Sequence, residues 1–451
     1  MKRHLAFQTY FIWSAIVLGL FGGFGLGAHM AYLLAFGLTP GKAFAAMVQV
    51  HGHLQLLGWT GLFIIGVSLF KLPRLMSSRP LHENVVWAIF GSLIAGLVSK
   101  SSAQILIFYT QSESTLRGFV MYGSLLESTG ILIYFGILLK DSVAFRAQSN
   151  AYAAAGIKPF LLVSLVGWFL YALINGAVGI DFGRSSTEIL PPAWNNIAIE
   201  TYIHGVLLPT CFAFSISTFP IFLRLRAPTW PVSRVATLYG MGVFIYIAGL
   251  SAELCWTSVL GSWLRTVGVL LRTAAMFWFL IELDLFRLHL PWFRKFRDNQ
   301  DREHRPPRRF AGDYGQFGNF EWLIYAAYAW LFLGAISELA ALFFDFSISV
   351  SVIRHFYLLG FVSHLILGMA VRIVPGFLGR NQIAYPILVR LSFVFILLAT
   401  IGRTLPVALS SLDNKALKIG YGFSGVIAML AIAALGVNLA ITIRRNKKSF
   451  G

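Results

Sequence analysis

Of the ten histidines in this sequence, six stand within long apolar stretches: His51, His53, His204, His355 and His364, and His29 near the outer end of the first stretch, an alternative ligand to one of these. Three open the same short pattern, His53-Leu-Gln-Leu-Leu57, His204-Gly-Val-Leu-Leu208 and His355-Phe-Tyr-Leu-Leu359, at an equal spacing of 151 residues. A single histidine in such surroundings is ordinarily satisfied by a neighbouring hydroxyl or carbonyl. Three at equal spacing point to ligation, and heme iron or copper is the partner that a neutral imidazole in a dry site suits best.

Helical geometry then sorts the ligands. His51 and His53 are two residues apart, which turns them roughly 200 degrees around a helix and aims them at opposite sides, so one helix could serve two sites. His355 and His364 lie roughly 13 Å apart along the axis and cannot share one metal on an unbroken helix. The candidate heme ligands are therefore His51, His53, His355 and His364. Glu200 is four residues before His204 and shares its face, either as a carboxylate–histidine metal site, with copper as the candidate ion, or as a hydrogen-bonding partner that orients the ring. Heme also brings anionic propionates. Lys100, Arg265, Arg354 and Arg403 are the cations placed to meet them, with snorkelling to the interface as the competing role. Arg272 sits deeper, with Glu253 as a candidate partner.

The elements that must hold these residues are membrane helices. The chain has 451 residues, 57% apolar and 12% charged, with a mean hydropathy of +0.73. Apolar runs of about 20 residues, enough to cross roughly 30 Å of hydrocarbon, recur at 8–37, 43–70, 84–110, 118–139, 159–180, 194–223, 232–253, 256–286, 319–346, 349–371, 383–405 and 418–442. The first is expected to remain as a helix rather than be cleaved. The net charge of +18 comes from Lys and Arg in the short loops, so it speaks for orientation in a bilayer and not for nucleic acid. Most of these residues fall on one side, including the segment from Arg287 to Arg309, which predicts that this loop and both termini are cytoplasmic, with anionic lipid or a partner as its other candidate role. Cys211 and Cys255 form no C-x-x-C or C-x-x-C-H pair. That excludes a disulfide framework, a zinc ribbon and covalently attached heme, and leaves a b-type heme as the expectation.

The equal spacing of the histidine pattern predicts one transmembrane domain built of three four-helix repeats, approximately 1–150, 151–305 and 306–451, with a histidine on helices 2, 6 and 10. Gly58/Gly360, Gly66/Gly368 and Pro73/Pro375 extend the match between the first and third. By the rise per residue the three histidines share one depth, roughly 10 to 15 Å below the outer surface.

His355-x-x-x-x-Gly360, Ile366-Leu-Gly368, Arg372 and Gly376-x-x-Gly379-Arg380 resemble the tenth-helix signature of the NnrS family, and His51-Gly-His53 with Leu56 and Gly58 resembles its second-helix motif. The resemblance implies a twelve-helix bacterial inner-membrane protein that binds heme and copper and is linked to nitric oxide metabolism. Departures are Leu54, where the family has glutamate, Phe377, where a histidine is usual, His364 in place of a small residue, and Ser217-Thr-Phe-Pro220 in place of a Gly-Gly-Arg-x-x-Pro run.

The second and tenth helices are also similar to those of heme-copper oxidase subunit I. By that likeness one of His51 and His53 would pair with a tenth-helix histidine across a heme, and His204 would lie near a second metal. The stretch 232–253 contains no histidine, so the copper centre of those oxidases cannot be assembled and proton-pumping oxygen reduction is not expected. The expectation is thus an all-α polytopic membrane protein that binds heme, and by the resemblance acts in nitric oxide response or denitrification-linked redox chemistry. If it turns substrate over, it would be an oxidoreductase acting on nitric oxide or a related small molecule, supplied with electrons by a quinol or another membrane protein. The alternatives are a secondary transporter that uses the histidines as proton or ion ligands, and an assembly factor that holds heme transiently.

Overall fold

A computed structural model describes residues 8–75, 81–144, 151–223, 230–256, 258–286, 316–344, 348–377, 380 and 382–445. The basic segment Arg287–Arg309, the positively charged ends of the chain and Gly379 lie outside the described residues. Among the described residues, twelve helices are long and apolar enough to span a membrane: α1 Thr9–Phe36, α2 Phe44–Pro73, α3 Glu83–Tyr109, α4 Glu113–Lys140, α5 Gly156–Arg184, α6 Pro192–Phe222, α7 Val232–Cys255, α8 Ser258–Leu283, α9 Glu321–Phe343, α10 Val350–Phe377, α11 Pro386–Ala408 and α12 Lys415–Arg444. No strand occurs among the described residues. The chain is a multi-pass membrane protein, as its composition requires, because a helix satisfies its own backbone where no water is present to do so.

Local chemistry sets the ends. Pro192 and Pro386 occupy first turns, where a missing N–H costs nothing. Asn414 accepts from the backbone of Ala416 and Leu417 to open α12, and Gly37 closes α1 at φ 64°. Several helices run past the apolar stretch that marks them: α4 begins at Glu113, where Arg117 pairs with Glu113 at 3.1 Å.

Burial separates two classes of span. The most apolar windows of α2, α6 and α10 are 83%, 72% and 89% buried, against 56% or less for every other helix. The three helices that carry the repeated histidine pattern therefore form the centre, and the other spans among the described residues surround them. α2 touches α6, α6 touches α10, and α12 packs back on α1 to close the outer ring.

All three central helices widen into π turns at the histidine: Leu54–Gly61 after His53, Thr201–Leu207 around His204 and Phe356–Ser363 after His355. A fourth widened stretch, Leu18–Phe24, lies in α1 against that of α2. Such turns displace the usual backbone pairing and leave carbonyls for side chains to use. Ser363 donates to Leu358 O at 2.9 Å, His364 Nδ1 donates to Leu359 O at 3.1 Å, and His51 Nδ1 reaches Gly23 O of α1 at 2.7 Å.

A histidine cavity and two buried ion-pair centres

His51 and His53 point away from each other, and each enters a different centre. His51 faces a cavity of about 290 Å³ between α1, α2, α10, α11 and α12, and His355 of α10 lines the same cavity. The His51 ring packs directly on α1, where a Cβ on Gly27 would lie 2.7 Å from its Cε1. Its Nδ1 is committed to Gly23 O, which leaves the Nε2 lone pair free. His355 is held in the same manner: Nδ1 donates to Ser351 O at 2.6 Å, and Nε2 accepts from Arg403 Nε at 3.2 Å. Both rings thus spend Nδ1 on a backbone carbonyl and keep a basic Nε2, the arrangement that metal-ligating histidines ordinarily have.

The cavity wall is cationic. Arg354 and Arg403 line it, and no carboxylate does among the described lining residues. Arg354 is balanced by Glu200 behind it, at 2.7 and 2.9 Å. Arg403 has His355 and, at 4.8 Å, the Tyr421 ring, while its solvent-shielded Nη1 has no partner. Gly52 also lines the cavity, and a Cβ there would meet nothing within 4 Å.

His53 belongs to a closed centre between α2, α3, α4 and α5. Its Nε2 lies 2.8 Å from Glu127 Oε1, and Lys100 Nζ lies 3.4 Å from Glu127 Oε2. Asn175 joins the two, accepting from Lys100 at 2.6 Å and donating to Glu127 at 3.0 Å. Glu127, Lys100 and Asn175 are all buried. Lys100 reaches Glu127 because α3 and α4 meet at Gly96 and Gly123: a Cβ on Gly123 would sit 2.9 Å from Gly96 O and from Lys100 Cβ.

His204 lies at the third centre. Its Nε2 is 3.3 Å from Glu200 Oε2 and 3.7 Å from Glu338 Oε1, and Glu338 Oε1 also takes Arg272 Nη2 at 2.6 Å. Arg272 stacks over Tyr246 at 3.9 Å, and Tyr239 donates to His204 O at 2.8 Å. Among the described residues no group of three or more His, Cys, Asp and Glu is arranged to hold a metal ion. The donor chemistry gives the reason: both carboxylates already bind guanidinium groups, and a cation placed between them would face Arg272 and Arg354. His204 and Glu200 do not fit copper.

The four candidate heme ligands thus divide. His51 and His355 share the cavity, His53 is bound to Glu127, and His364, fully buried, is turned out of the cavity with Nε2 unpartnered. His29 is exposed and does not line the cavity. Of the four cations, Arg354 and Arg403 line the cavity, Lys100 serves Glu127, and Arg265 pairs with Glu253 at 3.2 Å. Arg272 pairs with Glu338 instead of Glu253. Glu127, Asn175 and Glu338 were not singled out from the sequence. The two glutamates carried a usable signal, because a lone carboxylate deep in an apolar span needs a partner.

These features define a class: a multi-pass membrane protein in which histidines of the second and tenth helices line one cation-walled cavity. Residues 317–446 match the model of the NnrS protein family. The last four spans, which hold His355, Arg354 and Arg403, are thus similar to the NnrS protein family, while His51 and His204 lie outside the matched residues. No curated protein matches the chain.

Proposed function

We propose that this protein binds a b-type heme between His51 and His355, with the propionates on Arg354 and Arg403, and acts in nitric oxide response or denitrification-linked redox chemistry. The observation that carries the reading is the pair of imidazoles on one cavity, each with Nδ1 fixed by a backbone carbonyl so that Nε2 carries the lone pair, free on His51 and accepting from Arg403 on His355. Charge supports it. The histidine centres at His53 and His204 each contain buried carboxylates against their cations, whereas the cavity presents Arg403 with none. A ligand that brings its own carboxylates completes that centre as the glutamates complete the other two.

When bound, heme would supply one-electron chemistry and an iron atom with affinity for nitric oxide. The chain's part is to orient the two rings, through Gly23 and Ser351, and to anchor the anionic edge. For His355 to serve as a ligand its Nε2 must leave Arg403, which frees that guanidinium for a carboxylate. A quinol or another membrane protein is the proposed electron donor, and the bacterial inner membrane with both termini cytoplasmic is the proposed setting, on the distribution of Lys and Arg. The three-repeat organisation is likewise proposed, on the equal spacing of His53, His204 and His355.

The test is a pyridine hemochrome and a reduced-minus-oxidised spectrum of the detergent-purified protein, with iron determined on the same sample. Wild type and His53→Ala should carry stoichiometric b-type heme, and His51→Ala and His355→Ala should each lose it. A wild-type protein free of iron after expression with ample heme would overturn the reading in favour of a transporter.

A further inference from the structure

Arg354 has two neighbours at once. It lines the cavity, and on its other side it binds Glu200 through both Nε and Nη2 and also donates to Asn196. From Glu200 the contacts continue without a break: to His204 at 3.3 Å, from His204 to Glu338 at 3.7 Å, and from Glu338 to Arg272 at 2.6 Å. Five side chains from α6, α8, α9 and α10 thus form one buried set that begins at the cavity wall.

With both carboxylates ionised and His204 neutral, this set carries two positive and two negative charges. The other groups that face it are uncharged: the Asn196 amide on Arg354, and the hydroxyls of Tyr246 on Glu200 at 3.4 Å and Tyr239 on the His204 carbonyl, both from α7, with Tyr357 of α10, whose ring lies 5.3 Å from that of His204. α5 meets this stretch of α6 through Gly167, and α2 through Gly61. The set is also under-satisfied. His204 Nδ1, Arg272 Nε and Nη1 and Glu338 Oε2 are all buried without a close hydrogen-bond partner. Unused donors and acceptors gathered at one place are where ordered water or an added proton is accommodated.

We propose that filling the cavity with an anionic ligand makes this set take up a proton, with Arg354 as the coupling residue. The inference rests on the reading of the cavity as a site for a propionate-bearing porphyrin. A carboxylate placed against Arg354 shares the charge that otherwise serves Glu200, and it adds a negative charge to a region of low dielectric where such interactions are strong. The set then holds two carboxylates against less than two cations. A proton from the aqueous phase restores the balance by converting one carboxylate to a carboxyl group, or His204 to imidazolium. No electron moves and no covalent bond other than that to the proton is made. Because the groups interact strongly, the proton belongs to the Glu200–His204–Glu338 set rather than to one atom.

The test uses the purified protein free of heme, in weak buffer with an indicator dye, titrated with metal-free protoporphyrin IX and, separately, with its dimethyl ester. Absorbance reports binding and the dye reports protons. The free acid should bind with uptake of about one proton per molecule, as strong coupling to a single added charge implies, and the ester should bind with none. Glu338→Gln and Glu200→Gln should bind the free acid and take up less than half as much. Equal proton changes with acid and ester, or full uptake in both variants, would overturn the coupling while leaving the porphyrin site in place. Failure of wild type to bind either porphyrin would overturn the heme reading itself, and the coupling with it.

Discussion

Glu127 has a histidine, a lysine and an asparagine on its two oxygens and no exposure to solvent. Removing one member of such a set leaves the other charge stranded, which costs about 3–5 kcal/mol, while replacing both charges with apolar groups of similar shape is close to neutral. Glu127→Ala should therefore sharply reduce the thermal stability of the detergent-solubilised protein, and Lys100→Met with Glu127→Leu should recover most of the loss. Additive losses in the double variant would show that the pair does not interact. At this scale the sequence was informative about residue type and silent about partners. It placed Lys100 toward the outer end of its helix, for heme propionates or for snorkelling to the interface, whereas the structure buries it against Glu127 of the next helix. It marked Arg272 and suggested Glu253, yet Glu253 meets Arg265 and Arg272 crosses to Glu338 of α9. Pairing depends on the rotation of two helices about their own axes, and neither rotation is written in one span alone.

Helices were more legible than contacts. All twelve spans follow from apolar length, because the bilayer imposes a thickness that soluble cores do not. What the periodicity missed is the widening of α1, α2, α6 and α10 into π turns, since a rule of 3.6 residues per turn takes regular winding for granted. The opposed directions of His51 and His53 nevertheless followed from that rule, and the structure places them in separate centres. The fit of α1 against His51 gives a prediction at this scale. Gly27→Leu would drive a side chain into the imidazole, where even a Cβ lies 2.7 Å from Cε1. Gly52→Leu would instead start from open space at the cavity wall, where a Cβ meets nothing within 4 Å. Both variants should fold, as judged by monodisperse elution in detergent, and both should lose bound heme, Gly27→Leu by displacing a ligand and Gly52→Leu by occupying the site. Full heme in Gly52→Leu would mean that the cofactor lies elsewhere.

Across the whole molecule, the cavity forms only because α2 and α10, from opposite ends of the chain, come together at the centre with α1 and α12 closing the ring beside them. The equal spacing of the histidines hinted at three comparable centres. Which of them would keep a cavity was not legible, because that depends on whether a buried carboxylate arrives from another helix. Glu127 reaches His53, Glu200 and Glu338 reach His204, and among the described residues no carboxylate forms an ion pair with His355. The orientation of the assembly follows from charge, and the two cysteines offer a direct check. Cys255 is exposed at the end of α7, on the side predicted to face outward, and Cys211 is buried within α6. A membrane-impermeant maleimide applied to intact spheroplasts should label the wild-type protein once, and Cys255→Ser should abolish the labelling while Cys211→Ser leaves it unchanged. Labelling confined to inverted vesicles would reverse the assignment. It would place the cavity mouth, which lies toward the same end of α2 and α10 as Val48 and Val350, on the cytoplasmic side, and with it the route by which a ligand or an electron donor approaches.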